Sequence, residues 1–427
     1  MAKNLFNDAY QDFDVAFLGI NDYGKRKYDP SKWFIYPVSE GDLLGTKRIE
    51  SVLNDFKPDL IFLFQDIYHI ANILPHIKKE HPTIPIVTYF PVDGEPFNVT
   101  WQLPFAEGMV NLHLTYSQFA LDAIYARFPQ LRDRKDYIKI LNHGVNGEVF
   151  YPLIKANRKE YRASLKWTDK FVAINVNRFQ PRKLIALTLR IFSLLTHGYK
   201  KCKCGNYYLA SKSKCDLNWC GPDKVMEIVP PNEDIGLYLH MNQIERTMGP
   251  PHANTLQVHA LNAGYVDTDL NKNIFMLENR NVYNDPLTEE ELCHLYNAAD
   301  LNVTTTFGEG WGLSLSEAAA CGTRSIAPFN SAIPEVLAGT DSKLVKNQAL
   351  MNIALDSAHL RPIVSVPRFV DAVTMEYKEW LANGRRKLID EKGAALMKEK
   401  FQWKDKAEWL MSEFKKLLPS FFPPAEI

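Results

Sequence analysis

Short apolar runs alternate with amphipathic segments along most of this chain. Residues 13–19, 58–64 and 84–90 have the length and the β-branched or aromatic content of buried strands. Between such runs, segments such as 67–80 repeat their apolar residues with the period of an α-helix. This alternation predicts parallel sheets covered by helices, so the expected fold class is α/β.

The same alternation continues to about residue 338, and it predicts two doubly wound, Rossmann-like domains. We expect the first domain at 1–165 and the second at 166–399, with a Cys-rich insertion at 200–222 in the second. Residues 367–417 are predicted to be helical and highly charged.

Composition narrows the function classes for this chain of 427 residues. Apolar residues make up 46% and charged residues 23%, and Lys+Arg balance Asp+Glu at 50 each. The balance gives no overall attraction to nucleic acid or to a membrane surface. The longest apolar runs have strand length, and the N-terminus lacks an apolar signal region, so we expect no transmembrane segment and a cytoplasmic location.

A glycine-rich loop stands between a predicted strand at 301–306 and a predicted helix at about 313–320, which Gly322 ends. A loop that leads into a helix directs backbone N–H groups and the positive end of the helix dipole at one spot. The N–H groups of Gly310, Trp311, Gly312 and Leu313 are therefore candidates for binding a phosphate. The alternative is an ordinary α/β loop whose glycines only make the turn.

Two carboxylates flank this loop. Glu309 lies within it and Glu317 lies on the following helix. Carboxylates beside a phosphate pocket are repelled by the phosphate unless they bind something else, and sugar hydroxyls suit them because a carboxylate accepts two O–H donors at once.

Cations stand at the start of another predicted helix. Arg178 and Lys183 follow a strand at 171–177 and precede a helix at 184–195. Helix N-termini prefer anions, so an anionic ligand would explain the two cations, and solvated loop charges are the alternative.

In the first domain, two strand ends carry candidate site residues. Gly19 ends the first strand, and Asp93 follows the strand at 84–90. Ligands of open parallel sheets bind beyond the carboxyl ends of the strands, which makes both positions candidates. A plain surface turn is the alternative at each position.

Four cysteines fall within 19 residues, namely Cys202, Cys204, Cys215 and Cys220. Their density in a chain without an export signal indicates a structural Cys₄ zinc site. Two disulfides or four unrelated thiols are the alternatives.

The segment from Glu309 to Gly322 resembles the signature of the retaining glycosyltransferases of the GT-B fold, the large family numbered four, or group 1. The matching pattern is Glu-Gly-aromatic-Gly-Leu, then Glu-Ala, a run of small residues and Gly. The resemblance implies two Rossmann-like domains facing a cleft, the first on the acceptor side. It also implies a hexosyltransferase (EC 2.4) that moves a sugar from a UDP- or GDP-sugar to an acceptor hydroxyl and forms an α-glycosidic bond.

The resemblance also implies residue roles. Glu309 would bind the transferred sugar near its reacting carbon, Glu317 would bind the ribose, and Arg178 and Lys183 would bind the diphosphate, so that no catalytic metal is expected. The loop containing Arg280 and Val282 would cradle the nucleobase.

Two further features of the family concern the first domain. The chain lacks the histidine that often follows the strand at 84–90 in this family, so Asp93 is the candidate there. The helix at about 400–427 resembles the one that packs back on the first domain, and Gly19 would border the donor.

The sequence leaves other functions open. A non-catalytic module that binds a nucleotide sugar or nucleic acid is one, and a phosphorylase-like enzyme with pyridoxal phosphate is another. The acceptor is a glycan, a lipid, a protein or a modified nucleotide, and the sequence fixes neither this choice nor the oligomeric state.

Overall fold

The computed structural model describes residues 5–6, 12–20, 22, 24, 34–42, 44–216, 220, 224–242, 255–266, 272–276, 286–352, 356 and 359–423. The chain divides into two compact units. The first comprises Met1–Gly144, Ala354–His359 and Phe401–Ile427, and the second comprises Val145–Ile353 and Leu360–Lys400. Residues 145–165, which the sequence analysis assigned to the first domain, lie in the second unit.

The first unit is built on a parallel sheet with the strand order β3-β4-β5-β6, and β1 pairs with β2 separately. Its elements up to residue 144 are β1 (Ala16–Gly19), β2 (Phe34–Pro37), α1 (Thr46–Phe56), β3 (Ile61–Phe64), α2 (Ile67–Glu80), β4 (Ile86–Phe90), β5 (Leu112–Thr115), α3 (Gln118–Arg127) and β6 (Ile138–Ile140). Every residue of β4 and β5 is buried, as the continuous apolar runs of a helix-covered parallel sheet require.

The second unit is built on a parallel sheet with the order β12-β11-β7-β13-β14-β15, in which β7 and β13 are neighbours. Its elements are α4 (Lys155–Ser164), β7 (Phe171–Val176), α5 (Ile185–His197), β8 (Tyr199–Cys202), β9 (Tyr207–Leu209), β10 (Val225–Val229), β11 (Ile235–His240), α6 (Leu256–Ala263), β12 (Ile274–Met276), α7 (Glu289–Ala298), β13 (Leu301–Val303), α8 (Leu313–Ala320), β14 (Ser325–Pro328), α9 (Ile333–Val336), β15 (Lys343–Val345), β16 (Ala349–Asn352), β17 (Leu360–Ile363), α10 (Val366–Ala382) and α11 (Glu391–Lys400).

The last helix among the described residues is α12 (Trp403–Leu417), which belongs to the first unit. Glu413 on this helix accepts a 2.9 Å hydrogen bond from the Lys139 ammonium of β6. Trp403 lies so close to Gly144 that a Cβ there would come within 2.6 Å of the Trp403 nitrogen. The glycine therefore permits the close approach of the terminal helix.

The helical prediction for 367–417 holds over three helices and fails in the longer break between the first two. Helix α10 ends at Ala382, and Gly384 and Arg385 follow with positive φ angles of 68° and 58°. A left-handed residue stops a helix, and glycine adopts that conformation without steric cost. The chain between α10 and α11 then forms a bridge from Ile389 to Thr323.

No helix among the described residues combines the length and the apolar character that crossing a bilayer requires.

A buried ionic network fixes α4 against the sheet of the second unit. The Asp300 carboxylate, just before β13, lies 3.0 Å from the Arg158 guanidinium and 2.9 Å from that of Arg162. It also accepts a 3.0 Å hydrogen bond from the Val172 amide of β7. Both Asp300 and Arg162 are buried, so each charge depends on the other for its stability.

We expect Asp300→Ala to lower the melting temperature of the second unit by about 5–10 °C, because removing one member of a buried ion pair costs about 3 kcal/mol or more. Calorimetry of the full chain measures this shift. Glu233→Gln, which removes an exposed 2.9 Å pair with Lys272 in the same unit, is the control and should leave the melting temperature unchanged. Equal effects of the two substitutions would contradict the assignment.

Candidate functional site

The candidate site lies at the carboxyl ends of β7 and β13. These parallel strands pair directly, with Leu301 opposite Ala173, so the segments that follow them leave the sheet at the same edge. The Asn177 amide after β7 lies 3.4 Å from the Thr304 hydroxyl after β13. This is the edge at which open α/β sheets bind ligands.

A buried ion pair joins the two segments. The Lys183 ammonium donates a hydrogen bond to Oε1 of Glu309, and the two residues are only 6% and 9% exposed. The Arg182 guanidinium lies 3.7 Å from Oε2 of the same carboxylate and donates to the Gly308 carbonyl at 2.9 Å. Two cations and one carboxylate therefore meet at the start of the glycine loop.

Threonine hydroxyls brace the backbone that carries the cations. Thr305 Oγ1 lies 2.9 Å from the Leu184 carbonyl, and Thr306 Oγ1 lies 3.3 Å from the Arg182 carbonyl. Leu184 has a left-handed φ of 50°, which a residue with a side chain adopts at an energetic cost. The buried threonines hold this turn, and with it Lys183, against the loop.

The backbone of Glu309 is held on both sides by the segment that follows β14. Its amide donates to Ser331 Oγ at 2.9 Å, and its carbonyl accepts from the Ala332 amide at 3.3 Å. Gly312 has a φ of 102°, and a Cβ there would lie 3.5 Å from Cγ of Glu309 and 3.1 Å from Leu315. Glycine is therefore required on conformational grounds, and the site has little room for a larger residue.

Helix α8 begins directly after this loop, with Gly312 as its N-cap and no capping side chain. Trp311 is 2% exposed and anchors the turn in the core. At the other end, the Gly322 amide donates to Ala319 and the Thr323 amide to Ala318, with φ of 66° at Gly322. The predicted bounds of this helix and its glycine stop are confirmed.

Glu317 lies on the second turn of α8 and is partly exposed. Its Oε2 accepts a 3.0 Å hydrogen bond from the Tyr296 hydroxyl of α7. Desolvation of the carboxyl group raises the pKa of Glu317 to about 7, and the hydrogen bond from Tyr296 opposes the rise. A carboxylate kept in so unfavourable a place indicates a functional site.

Arg178, in contrast, is exposed in the loop after β7, and it forms no ion pair with another of the described residues. The cation beside Lys183 is Arg182, which sequence reasoning missed although it is the neighbour in the chain. Arg280 and Val282 lie outside the described residues.

In the first unit, Gly19 ends β1 and borders a largely apolar cavity of about 980 Å³. A Cβ at Gly19 would come within 2.9 Å of Asp22, so this turn requires glycine. Asp93 is half-buried in the segment after β4. Both residues stand at the strand ends that the sequence predicted, and their roles remain predictions.

The four clustered cysteines lie on and around the antiparallel sheet β10-β8-β9. Their Sγ atoms all lie within 4.8 Å of one another, and the Cys204 and Cys215 sulfurs are 3.8 Å apart. All four are free thiols. Tetrahedral zinc with Zn–S bonds of about 2.3 Å separates its sulfur ligands by about 3.8 Å, so the donor set fits zinc.

No known protein-family profile matches this chain, and no curated protein sequence is significantly similar to it. Solved structures with the same architecture do exist. HepE of Anabaena, solved with UDP and glucose, matches with a TM-score of 0.57 and 13% identity over 90% of this chain and 86% of its own.

Two further structures match over a similar length. Sucrose-phosphate synthase of Thermosynechococcus elongatus gives a TM-score of 0.58 at 13% identity, over 95% of this chain and 88% of its own. A glycosyltransferase from Rickettsia africae gives a TM-score of 0.60 at 11% identity, over 90% of this chain and 85% of its own. These likenesses show the fold alone, and the predicted GT-B fold is confirmed.

We expect Glu317→Gln to stabilise the second unit at pH 8 and to have little effect near pH 4.5. The ordinary pKa of 4.5 rises to about 7 on folding, so the folded state holds a proton that the unfolded state has lost between these values. Stability therefore falls as pH rises from 4.5 to 7, by about 1–2 kcal/mol after allowance for partial exposure. Melting curves at the two pH values measure it, and an effect of equal size at both would contradict the raised pKa.

Proposed function

We propose that this protein is a retaining glycosyltransferase, which moves a sugar from a nucleoside diphosphate sugar to an acceptor hydroxyl and forms an α-glycosidic bond. The observation that carries the proposal is the buried pair of Lys183 and Glu309 at the mouth of the glycine loop. A glycine loop alone only makes a turn. A buried cation and a carboxylate beside a helix N-terminus match a nucleotide sugar better, because the cation suits its diphosphate and the carboxylate suits its sugar hydroxyls.

The cationic side of the site suits the diphosphate. Departure of the sugar leaves negative charge on the phosphate oxygens, and preorganised donors stabilise that charge. Lys183 supplies a buried ammonium, whose positive charge would stabilise the departing diphosphate. We assign the amides from Gly310 to Leu313, in the loop before α8 and at its first residue, and the exposed Arg178 to the same role.

The carboxylates suit hydroxyl groups. Glu309 would accept hydroxyls of the transferred sugar, and its negative charge would stabilise the oxocarbenium-like carbon. Glu317 would accept the two ribose hydroxyls. Attack of the acceptor from the face that the diphosphate leaves retains the configuration, and the departing phosphate oxygen can take the acceptor proton.

The remaining assignments extend the proposal. In the first unit, Asp93 is the proposed catalytic residue on the acceptor side, and Gly19 would leave room for the donor. UDP- and GDP-sugars are the proposed donors, since the neighbour HepE was solved with UDP-glucose. The cations that surround Glu309 take the charge-neutralising place of a metal at the diphosphate.

We expect Glu309→Gln to reduce sugar transfer by about 100-fold or more while the fold survives, because the amide keeps the shape and loses the charge. Transfer and donor hydrolysis are measured with a panel of UDP- and GDP-sugars. Glu379→Gln, which alters a surface ion pair with Lys343 in the same unit, is the matched control. Normal turnover by Glu309→Gln would remove Glu309 from the mechanism.

The same assay distinguishes the second candidate function, a non-catalytic binding module. Tight binding of a nucleotide sugar by the wild type, without transfer or hydrolysis against any acceptor class, would favour that module over an enzyme.

We also propose that the four-cysteine cluster holds a structural zinc ion. A closed Cys₄ set leaves no open position for a substrate, so the ion would stabilise a small sheet rather than react. The sheet β10-β8-β9 has a small apolar core of its own, in which Tyr208 packs against the cysteines. Metal binding would therefore contribute much of the stability of this insertion.

We expect the purified protein to contain about one zinc ion per chain and Cys215→Ser to lose it. Metal analysis and the fall in melting temperature on adding a chelator measure both effects. Cys321→Ala, which removes a buried thiol outside the cluster, should keep the zinc. Wild-type protein without zinc, or equal zinc in Cys215→Ser, would exclude the metal site.

A further inference from the structure

The Glu317 carboxylate is supported by a chain of hydrogen bonds that leads into the interior of the second unit. Tyr296 is fully buried, and its hydroxyl is 3.0 Å from Oε2 of Glu317. Burial and the nearby Glu317 charge raise the pKa of Tyr296 well above its ordinary value, so the phenol keeps its proton and acts as a donor.

Tyr296 is in turn fixed through its backbone. Its carbonyl accepts a 2.7 Å hydrogen bond from the Thr323 hydroxyl and a 3.1 Å bond from the Lys387 ammonium. Lys387 also donates to the Asn297 carbonyl and to Thr323 Oγ1. Lys387 lies in the break between α10 and α11, where Ile389 bridges to Thr323. Two chain segments thus hold the tyrosine that contacts Glu317.

A carboxylate that binds a diol must be charged, and the plane of its two oxygens must also be held in a fixed orientation toward the hydroxyls. An ionised carboxylate offers about four lone-pair sites, and two vicinal hydroxyls occupy two of them. A hydrogen bond from Tyr296 occupies another and restricts rotation about the last side-chain bond. Positioning by a rigid supporting residue is what keeps such a group in productive geometry.

We propose that Tyr296 is a positioning residue, which orients Glu317 so that it recognises the 2′,3′-diol of the donor's ribose. The inference rests on the proposed function, since it requires a bound nucleotide. The inference gives a role to Tyr296, a buried residue to which the sequence assigned none. It also states that Tyr296 affects recognition of the ribose diol.

The test compares ligands that differ only in the diol. UDP and 2′,3′-dideoxy-UDP, and the corresponding GDP pair, are titrated into the wild type, Tyr296→Phe and Tyr377→Phe by calorimetry. Tyr377 is the control because its hydroxyl bonds Asp234 at 3.2 Å and its ring packs on Phe171, at the opposite end of β7 from the site.

We expect Tyr296→Phe to weaken binding of the diol-bearing nucleotide by about ten-fold and that of the dideoxy form by less than about two-fold. Tyr377→Phe should change neither. Loss of the tyrosine hydrogen bond also removes a group that favours the charged carboxyl, so the pH at which binding is half-maximal should rise in Tyr296→Phe.

Glu317→Gln should remove the same diol preference, and melting curves of both variants check that each is folded. The double variant should then bind no more weakly than Glu317→Gln alone, which a double-mutant cycle measures. Equal weakening of both ligands by Tyr296→Phe, or an unchanged preference, would overturn the role of Tyr296 while leaving the proposed function intact. Failure of the wild type to bind either diphosphate would overturn both.

Discussion

The buried ion pair of Lys183 and Glu309 is the interaction on which the candidate site depends. An isolated charge at these positions would be unstable, since both residues are more than nine-tenths buried. Their pairing requires the turn before α5 and the loop before α8 to meet, and the threonines after β13 and Ser331 after β14 hold them there. These turns, loops and hydroxyl groups together keep two opposite charges in contact at the edge of the sheet.

This arrangement explains why the surrounding residues are small, polar or strained. Leu184 and Ser331 both have left-handed backbone, with φ of 50° and 46°, and Gly312 stands where a side chain would press on its neighbours. Backbone strain of this kind persists only where the surrounding contacts fix it. The raised pKa of Glu317 is a further energetic cost at the same site, because the ionised carboxylate is desolvated there.

Much of the fold could be predicted from the sequence because periodicity reports local structure. Helices α2 and α8 have the predicted bounds. The break between α10 and α11 was missed, since the charged pattern there continues across it. In the site, Glu309 was predicted because it belongs to a sequence motif, and Lys183 because of its position between a strand and a helix. No sequence signal identified Arg182, Ser331 or Tyr296. Their contacts join residues 21–126 positions apart, and no local pattern encodes them.

The most direct test of the account is a crystal structure of the protein with UDP or GDP bound. We predict the diphosphate within hydrogen-bond distance of the Lys183 ammonium and of the first amides of α8, with the ribose hydroxyls on Glu317. A diphosphate bound elsewhere, with the Lys183 and Glu309 pair out of contact with it, would contradict the central claim.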